Sequence, residues 1–257
     1  MSDPLRRARI ALACLDLTSL NDADTEADVA RLCERAQGSY GPVAAVCVWP
    51  RLAAFARGRL PAHIGVAAVA NFPGGSADID GAVRDARAIV DAGAQEVDVV
   101  LPFARLQQHD ESAVTHLLQA VRRACDGLVL KVILETGVLA TDALVARASR
   151  LALESGADFL KTSTGKTPVS ATPQAARVML NAISVDPRAN ARAGLKASGG
   201  IRTVADASVY IDLCEARLGA SALVPARFRI GASSLLNDIE AVLGGQVPPP
   251  AAAPRTY

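Results

Sequence analysis

Eight short apolar runs, each followed by a segment with helical spacing, constrain this chain more than any other feature. They are IALACLDL (10–17), VAAVCVW (43–49), IGVAAVAN (64–71), EVDVVLP (96–102), LVLKVILE (128–135), DFLKTS (158–163), GLKAS (194–198) and FRIGAS (228–233). Val, Ile, Leu and Ala fill them with little polar alternation, as in parallel strands covered on both faces. The intervening stretches, such as DIDGAVRDARAIVDAG (78–93) and TDALVARASRLALESG (141–156), carry apolar residues at helical spacing and end in Gly, a helix stop. Eight such units in about 250 residues predict an α/β fold, a single-domain (β/α)8 TIM barrel over residues 1–244. An open doubly wound sheet is the alternative. It is disfavoured because no GxGxxG turn follows the first run and the phosphate-like turns come late.

The last thirteen residues, GQVPPPAAAPRTY (245–257), are Pro-, Ala- and Gly-rich and read as a flexible C-terminal tail. Two readings stand for it: a frayed terminus, or a tail that folds over the site and brings Tyr257 with it. At the other end, arginines before an apolar stretch faintly resemble a signal peptide. That stretch runs straight into Asp16, and it reads as the first strand.

The net charge is +1, and no basic run is interleaved with aromatics, so nucleic acid is not an expected partner. No apolar run reaches the roughly 18–20 residues of a membrane span. The five cysteines lack CxxC spacing, which suits a reduced, cytoplasmic protein with buried thiols. The histidines (63, 109 and 116) form no HxH or HExxH pair, so no metal site is expected.

Basic residue usage is skewed: 23 of 27 are arginine, and the four lysines (131, 161, 166 and 196) lie in one 66-residue stretch. Codon bias would leave lysines scattered, whereas these stand at strand ends or Gly-rich turns. Arginine keeps its proton in proteins; lysine can lose it and become a nucleophile. Function in a barrel of this kind sits at the C-terminal ends of the strands. There the runs carry Asp16, Cys47, Asn71, Asp98, Lys131 with Glu135, Lys161 and Lys196. Lys161 and Lys196, on strands six and seven, should face each other across the interior. Bringing a lysine pKa from about 10.4 to about 7 costs roughly 4–5 kcal/mol, which burial and a neighbouring cation can supply. Asp98, in an apolar strand, is either a structural salt bridge or a proton relay; with buried lysines as partners the two readings merge. Cys47 lines the pocket or fills the core.

A second group of residues fits a phosphate. TSTGK, SGGIRT and GASS end strands six, seven and eight, and GASS runs directly into the helix LLNDIEAVL. Gly-rich turns entering helices present backbone N–H groups to an anion. The candidates are Gly165, Lys166, Gly199, Gly200, Arg202, Gly231, Ser233 and Ser234; Lys166 and Arg202 fit equally well as solvated helix-start charges.

The runs LDLTSLNDADT (15–25), AAVCVWP (44–50), NFPGG (71–75), EVDVVLP, LKVILETG (130–137), FLKTSTGK (159–166), LKASGGIRT (195–203) and GASSLL (231–236) together resemble the deoxyribose-phosphate aldolase family, in order, over about residues 10–240. The resemblance implies a class I, Schiff-base-forming aldolase on a (β/α)8 barrel, without metal or organic cofactor. Its reaction would be the reversible cleavage of 2-deoxy-D-ribose 5-phosphate to acetaldehyde and D-glyceraldehyde 3-phosphate in deoxyribose phosphate catabolism.

Carried over by position, the resemblance makes Lys161 the Schiff-base lysine and Lys196 the cation that lowers its pKa. Asp98 becomes a proton carrier acting through water, and Asp16 and Lys131 supporting residues. Thr18, Asn21 and Cys47 fall in the substrate pocket, and Tyr257 assists proton transfer. The strand-seven motif reads Lys-Ala-Ser-Gly-Gly, the alanine and serine form of the family's common Lys-Pro/Ala-Ala/Ser-Gly-Gly, without a proline before the glycines. The expected partners are small sugar phosphates and aldehydes, with a homodimer compatible with the Arg/Ala-rich exterior. The competing functions are another Schiff-base aldolase, transaldolase-like or of fructose-phosphate type, and a non-catalytic phosphate-binding barrel.

Overall fold

The computed structural model describes residues 3–245; Tyr257 and all of the expected tail beyond Gly245 lie outside the described residues. Eight parallel strands close into a barrel in sequence order. They are β1 (Leu15–Thr18), β2 (Ala45–Val48), β3 (Gly65–Ala70), β4 (Glu96–Val100), β5 (Val129–Ile133), β6 (Phe159–Lys161), β7 (Gly194–Ser198) and β8 (Phe228–Ala232). Helices connect consecutive strands on the outside. Helix Asp142–Glu154 starts on a Thr141 hydroxyl that accepts from Leu144 N–H, and Gly156 (φ +90°) follows its end, as the stop signal predicts.

One expectation needs correction. Residues 10–13 are not strand but the end of helix Pro4–Ala13, and β1 begins only at Leu15. Asp3 caps this helix and Pro4 occupies its first turn. Its buried residues Arg7, Ala8, Ala11 and Leu12 recur at helical spacing and pack towards helices Val204–Leu218 and Leu235–Leu243. The apolar run therefore joined two elements of different period, with Cys14 between them. His109 lies in the turn between helices Phe103–Gln107 and Glu111–Ala124, and His116 within the second of them.

The strands have two unlike faces. Leu17, Val46, Ala68, Val99, Val132, Leu195 and Ile230 point outward into one continuous apolar cluster with the helices. The inward residues follow from the register: Asp16 pairs with Ala45 and Gly231, Asp98 with Lys131, and Lys161 with Lys196. They stack in layers of four drawn from alternate strands. Ala45, Glu96, Phe159 and Arg229 form the floor. Asp16, Ala67, Lys131 and Lys196 form the middle, and Cys47, Asp98, Lys161 and Gly231 the upper layer. Arg229 on β8 reaches Glu96 on β4, half-way round the barrel, so their contact crosses the interior. No helix among the described residues is long and apolar enough to cross a membrane.

Candidate active site

The barrel interior holds seven charged side chains where such barrels usually carry branched aliphatics. Three are carboxylates (Asp16, Glu96, Asp98) and four are cations (Lys131, Lys161, Lys196, Arg229), and all are buried. Alternation puts them there: Glu96 and Asp98 are two apart on β4, so both face inward.

Asp98 is the hub. Its Oδ1 accepts from Lys131 Nζ at 2.7 Å. Its Oδ2 accepts from both Lys161 Nζ (2.8 Å) and Lys196 Nζ (2.7 Å). Lys196 Nζ also lies 2.5 Å from Asp16 Oδ2. Below, Lys131 Nζ is 2.5 Å from Glu96 Oε2, and Arg229 bridges Asp16 Oδ1 (2.5 Å) and Glu96 Oε1 (2.7 Å). The guanidinium stacks 5.7 Å from the centre of the Phe159 ring.

Burial penalises all these charges; their neighbours decide the outcome. For Lys131 burial is outweighed by Asp98, Glu96 and Asp16, which raise its pKa. Lys196 is likewise raised, because Asp16 and Asp98 overcome burial. Lys161 goes the other way. Burial lowers its pKa, Asp98 opposes that, and Lys196 adds to the lowering. Asp16 and Asp98 are both held below the usual carboxylate range, burial being outweighed by Arg229, Lys196 and Lys131 at Asp16 and by the three lysines at Asp98. The charge count agrees: four cations against three anions leave one excess positive charge, and neutralising Lys161 removes it. Lys161, 3% exposed at the mouth side of the cluster, is the interior lysine whose pKa is lowered, and a lysine that gives up its proton can act as a nucleophile.

Cys47 lies in this upper layer, with Sγ 4.0 Å from Asp98 Oδ2 and packed with Leu20, Ala67 and Val69. Burial raises its pKa and keeps it a thiol. All five cysteines are buried and unpaired.

The Gly-rich turns meet at the mouth. A Cβ on Gly199 (φ +89°) would sit 2.4 Å from the Ser170 Cβ and 3.5 Å from Gly165 Cα, so the loops after β6 and β7 touch through glycine. A Cβ on Gly231 would sit 2.3 Å from Ser198 Oγ and 3.0 Å from Lys196 Cε; its hydrogen leaves room for the lysine to pass. Ser234 N-caps helix Leu235–Leu243 by position, but its side chain makes no cap bond, and Ser233 and Ser234 are exposed. Helix Val204–Leu218, by contrast, has a full capping box from Thr203 and Asp206. Backbone donors at the β8 helix start are thus open to an anion.

The other expected residues are spread more widely. Exposed Lys166 donates to the Leu20 carbonyl at 2.8 Å, linking the loops after β6 and β1. Arg202 and Gly200 are exposed beside half-buried Gly199. Thr18 donates to the Asp16 carbonyl. The Asn21 amide turns to Asp24 Oδ1 (3.0 Å), not into the barrel. Asn71 shapes the loop after β3 by bonding Ser76 and Val100 carbonyls. Glu135 is separated from Lys131's cluster; it is buried and accepts from the Thr164 and Thr167 hydroxyls (2.5 and 3.2 Å), clamping the β5 and β6 loops together.

Sequence reasoning missed Glu96 and Arg229. Both stand in quoted strands, two residues before an expected site residue, so the period of two already placed them on the inward face.

Comparison with known proteins agrees with this geometry. A deoxyribose-phosphate aldolase of Agrobacterium fabrum (strain C58) is 44% identical over 253 residues, covering 97% of this chain and 96% of that protein. The crystal structure of a candidate deoxyribose-phosphate aldolase from Toxoplasma gondii ME49 superposes with a TM-score of 0.84 at 26% identity, covering 95% of this chain and 96% of that one. The tetrameric deoxyribose phosphate aldolase of Aeropyrum pernix superposes with a TM-score of 0.73 at 25% identity, covering 93% and 97%. The model of the DeoC/LacD family aldolases matches residues 10–241, and the chain belongs to that family.

Proposed function

We propose that this aldolase cleaves 2-deoxy-D-ribose 5-phosphate reversibly to acetaldehyde and D-glyceraldehyde 3-phosphate through a Schiff base on Lys161. The observation that carries the reading is that Lys161 alone among the three interior lysines has its proton affinity lowered. The neutral amine adds to the C1 aldehyde, and loss of water leaves an iminium. A proton leaves the C3 hydroxyl, the C2–C3 bond breaks, and its electron pair flows into the iminium to give an enamine and glyceraldehyde 3-phosphate. Protonation at C2 and hydrolysis then release acetaldehyde and restore the amine.

Asp98, with Oδ2 shared by Lys161 and Lys196, is suited to relay these protons through water, and the Lys196 ammonium to supply them. Asp16 and Lys131 hold that arrangement. Thr18 and Cys47 edge the pocket, and Asn21 supports the β1 loop. The 5-phosphate fits the turns carrying Gly165, Gly199, Gly200, Gly231, Ser233 and Ser234, with Lys166 and Arg202 as flanking charges. On this reading the enzyme acts in deoxyribose phosphate catabolism in the cytoplasm. Reduction with cyanoborohydride in the presence of substrate should add a stable mass to Lys161, and Lys161→Arg should be inactive. An adduct on Lys196 would overturn the assignment.

A further inference from the structure

We propose that Glu96 and Arg229, in the floor of the barrel, are positioning residues that set the proton count of the lysine site two layers above them. The proposal rests on Lys161 being the Schiff-base residue. Neither floor residue touches Lys161. Arg229 instead fixes Asp16 Oδ1, which leaves Oδ2 facing Lys196, and Glu96 holds Lys131 from below while Asp98 holds it from above. The floor thus orients both residues through which Asp98 and Lys196 are held.

It also sets the charge balance. The ionisable groups facing the interior are Asp16 on β1, Cys47 on β2, Glu96 and Asp98 on β4, Lys131 on β5, Lys161 on β6, Lys196 on β7 and Arg229 on β8; the inward residues of β3, Ala67 and Val69, are uncharged. With the thiol protonated, three anions face four cations, and one lysine is in excess. Deleting the Arg229 charge removes that excess, so Lys161 would keep its proton to higher pH. Deleting the Glu96 charge raises the excess to two, so Lys161 would release its proton at lower pH. Arg229 lies two strands from Lys161, about 10 Å at ~4.8 Å per strand spacing. At an effective dielectric of about 20, one charge at that distance moves a titration by roughly one pH unit.

The test is the rate of cyanoborohydride trapping of acetaldehyde on Lys161 as a function of pH, mapped by peptide mass, with exposed Lys166 as the internal reference. Arg229→Gln should move the Lys161 midpoint up by about one unit and Glu96→Gln should move it down by a similar amount. The double variant Glu96→Gln/Arg229→Gln and the charge-preserving Arg229→Lys should both keep the wild-type midpoint. Where a single substitution does not give folded protein, these two variants carry the test, and movement in either overturns the proposal. Single variants with unmoved midpoints, or midpoints moving in the same direction, also overturn it. Absence of any Lys161 adduct in the unaltered enzyme would instead sink the Schiff-base reading itself.

Discussion

Lys131 and Lys161 hold the two oxygens of one carboxylate, yet they sit in chemically opposite regions. Lys131, in the lower part of the interior, faces Asp98, Glu96 and Asp16. Lys161, in the upper part, faces Asp98 alone and shares its oxygen with Lys196. Burial is equally severe for both, so burial does not distinguish them. What differs is the number of carboxylates. Three stabilise an ammonium against desolvation; one, already claimed by another ammonium, does not. The lower region is therefore an ion cluster in which Lys131 is held as an ammonium, and the upper region is where the proton affinity of a lysine is lowered, as the proposed role of Lys161 requires.

Substitutions that treat the two lysines alike should expose the contrast. Lys161→Met should reduce retro-aldol turnover by about 10³-fold or more while the fold persists, since a nucleophile is lost. Lys131→Met should instead lower stability by about 3–5 kcal/mol in denaturant titration, because it strands carboxylates in the interior. If Lys161→Met proved the more destabilising, the division into structural and reactive regions would fail. Gly231→Ala intrudes between the regions, against Lys196 and Ser198. It should cost about 1–3 kcal/mol by overpacking and reduce turnover through the displaced lysine; wild-type turnover would show that the close approach has slack.

The smallest effects are in stability against pH. Asp16 and Asp98 have folded pKa values below the unfolded value of about 3.9, so their contribution is fully present above that pH and is lost as pH falls through the folded values. Lys161 has a folded pKa below the unfolded value of about 10.4, so the unfolded chain binds more protons between them and stability rises with pH in that window. Lys161→Met should remove the alkaline rise and leave the acid limb. An unchanged alkaline limb would mean that Lys161 is not the group responsible.

The barrel was legible because parallel strands buried on both faces write themselves as apolar runs, and Lys161, Lys196 and Asp98 were legible as polar residues interrupting them. The floor was harder to see. Glu96 and Arg229 read as ordinary strand-start charges, and only closure of the sheet brings β4 and β8 across from each other. The helix Pro4–Ala13 was lost because an apolar run of mixed period does not show where a helix gives way to a strand. Asn21 fell in a family motif, but its orientation depends on the local Asp24 contact, which spacing does not encode.

The most direct test of the account is the pH dependence of reductive acetaldehyde trapping on each of the four lysines of the intact enzyme. Lys161 should be labelled with a midpoint below the ordinary lysine value of about 10.4, with Lys131 and Lys196 unlabelled across the same range. A Lys161 midpoint at the ordinary value, or preferential labelling of Lys131 or Lys196, would contradict it.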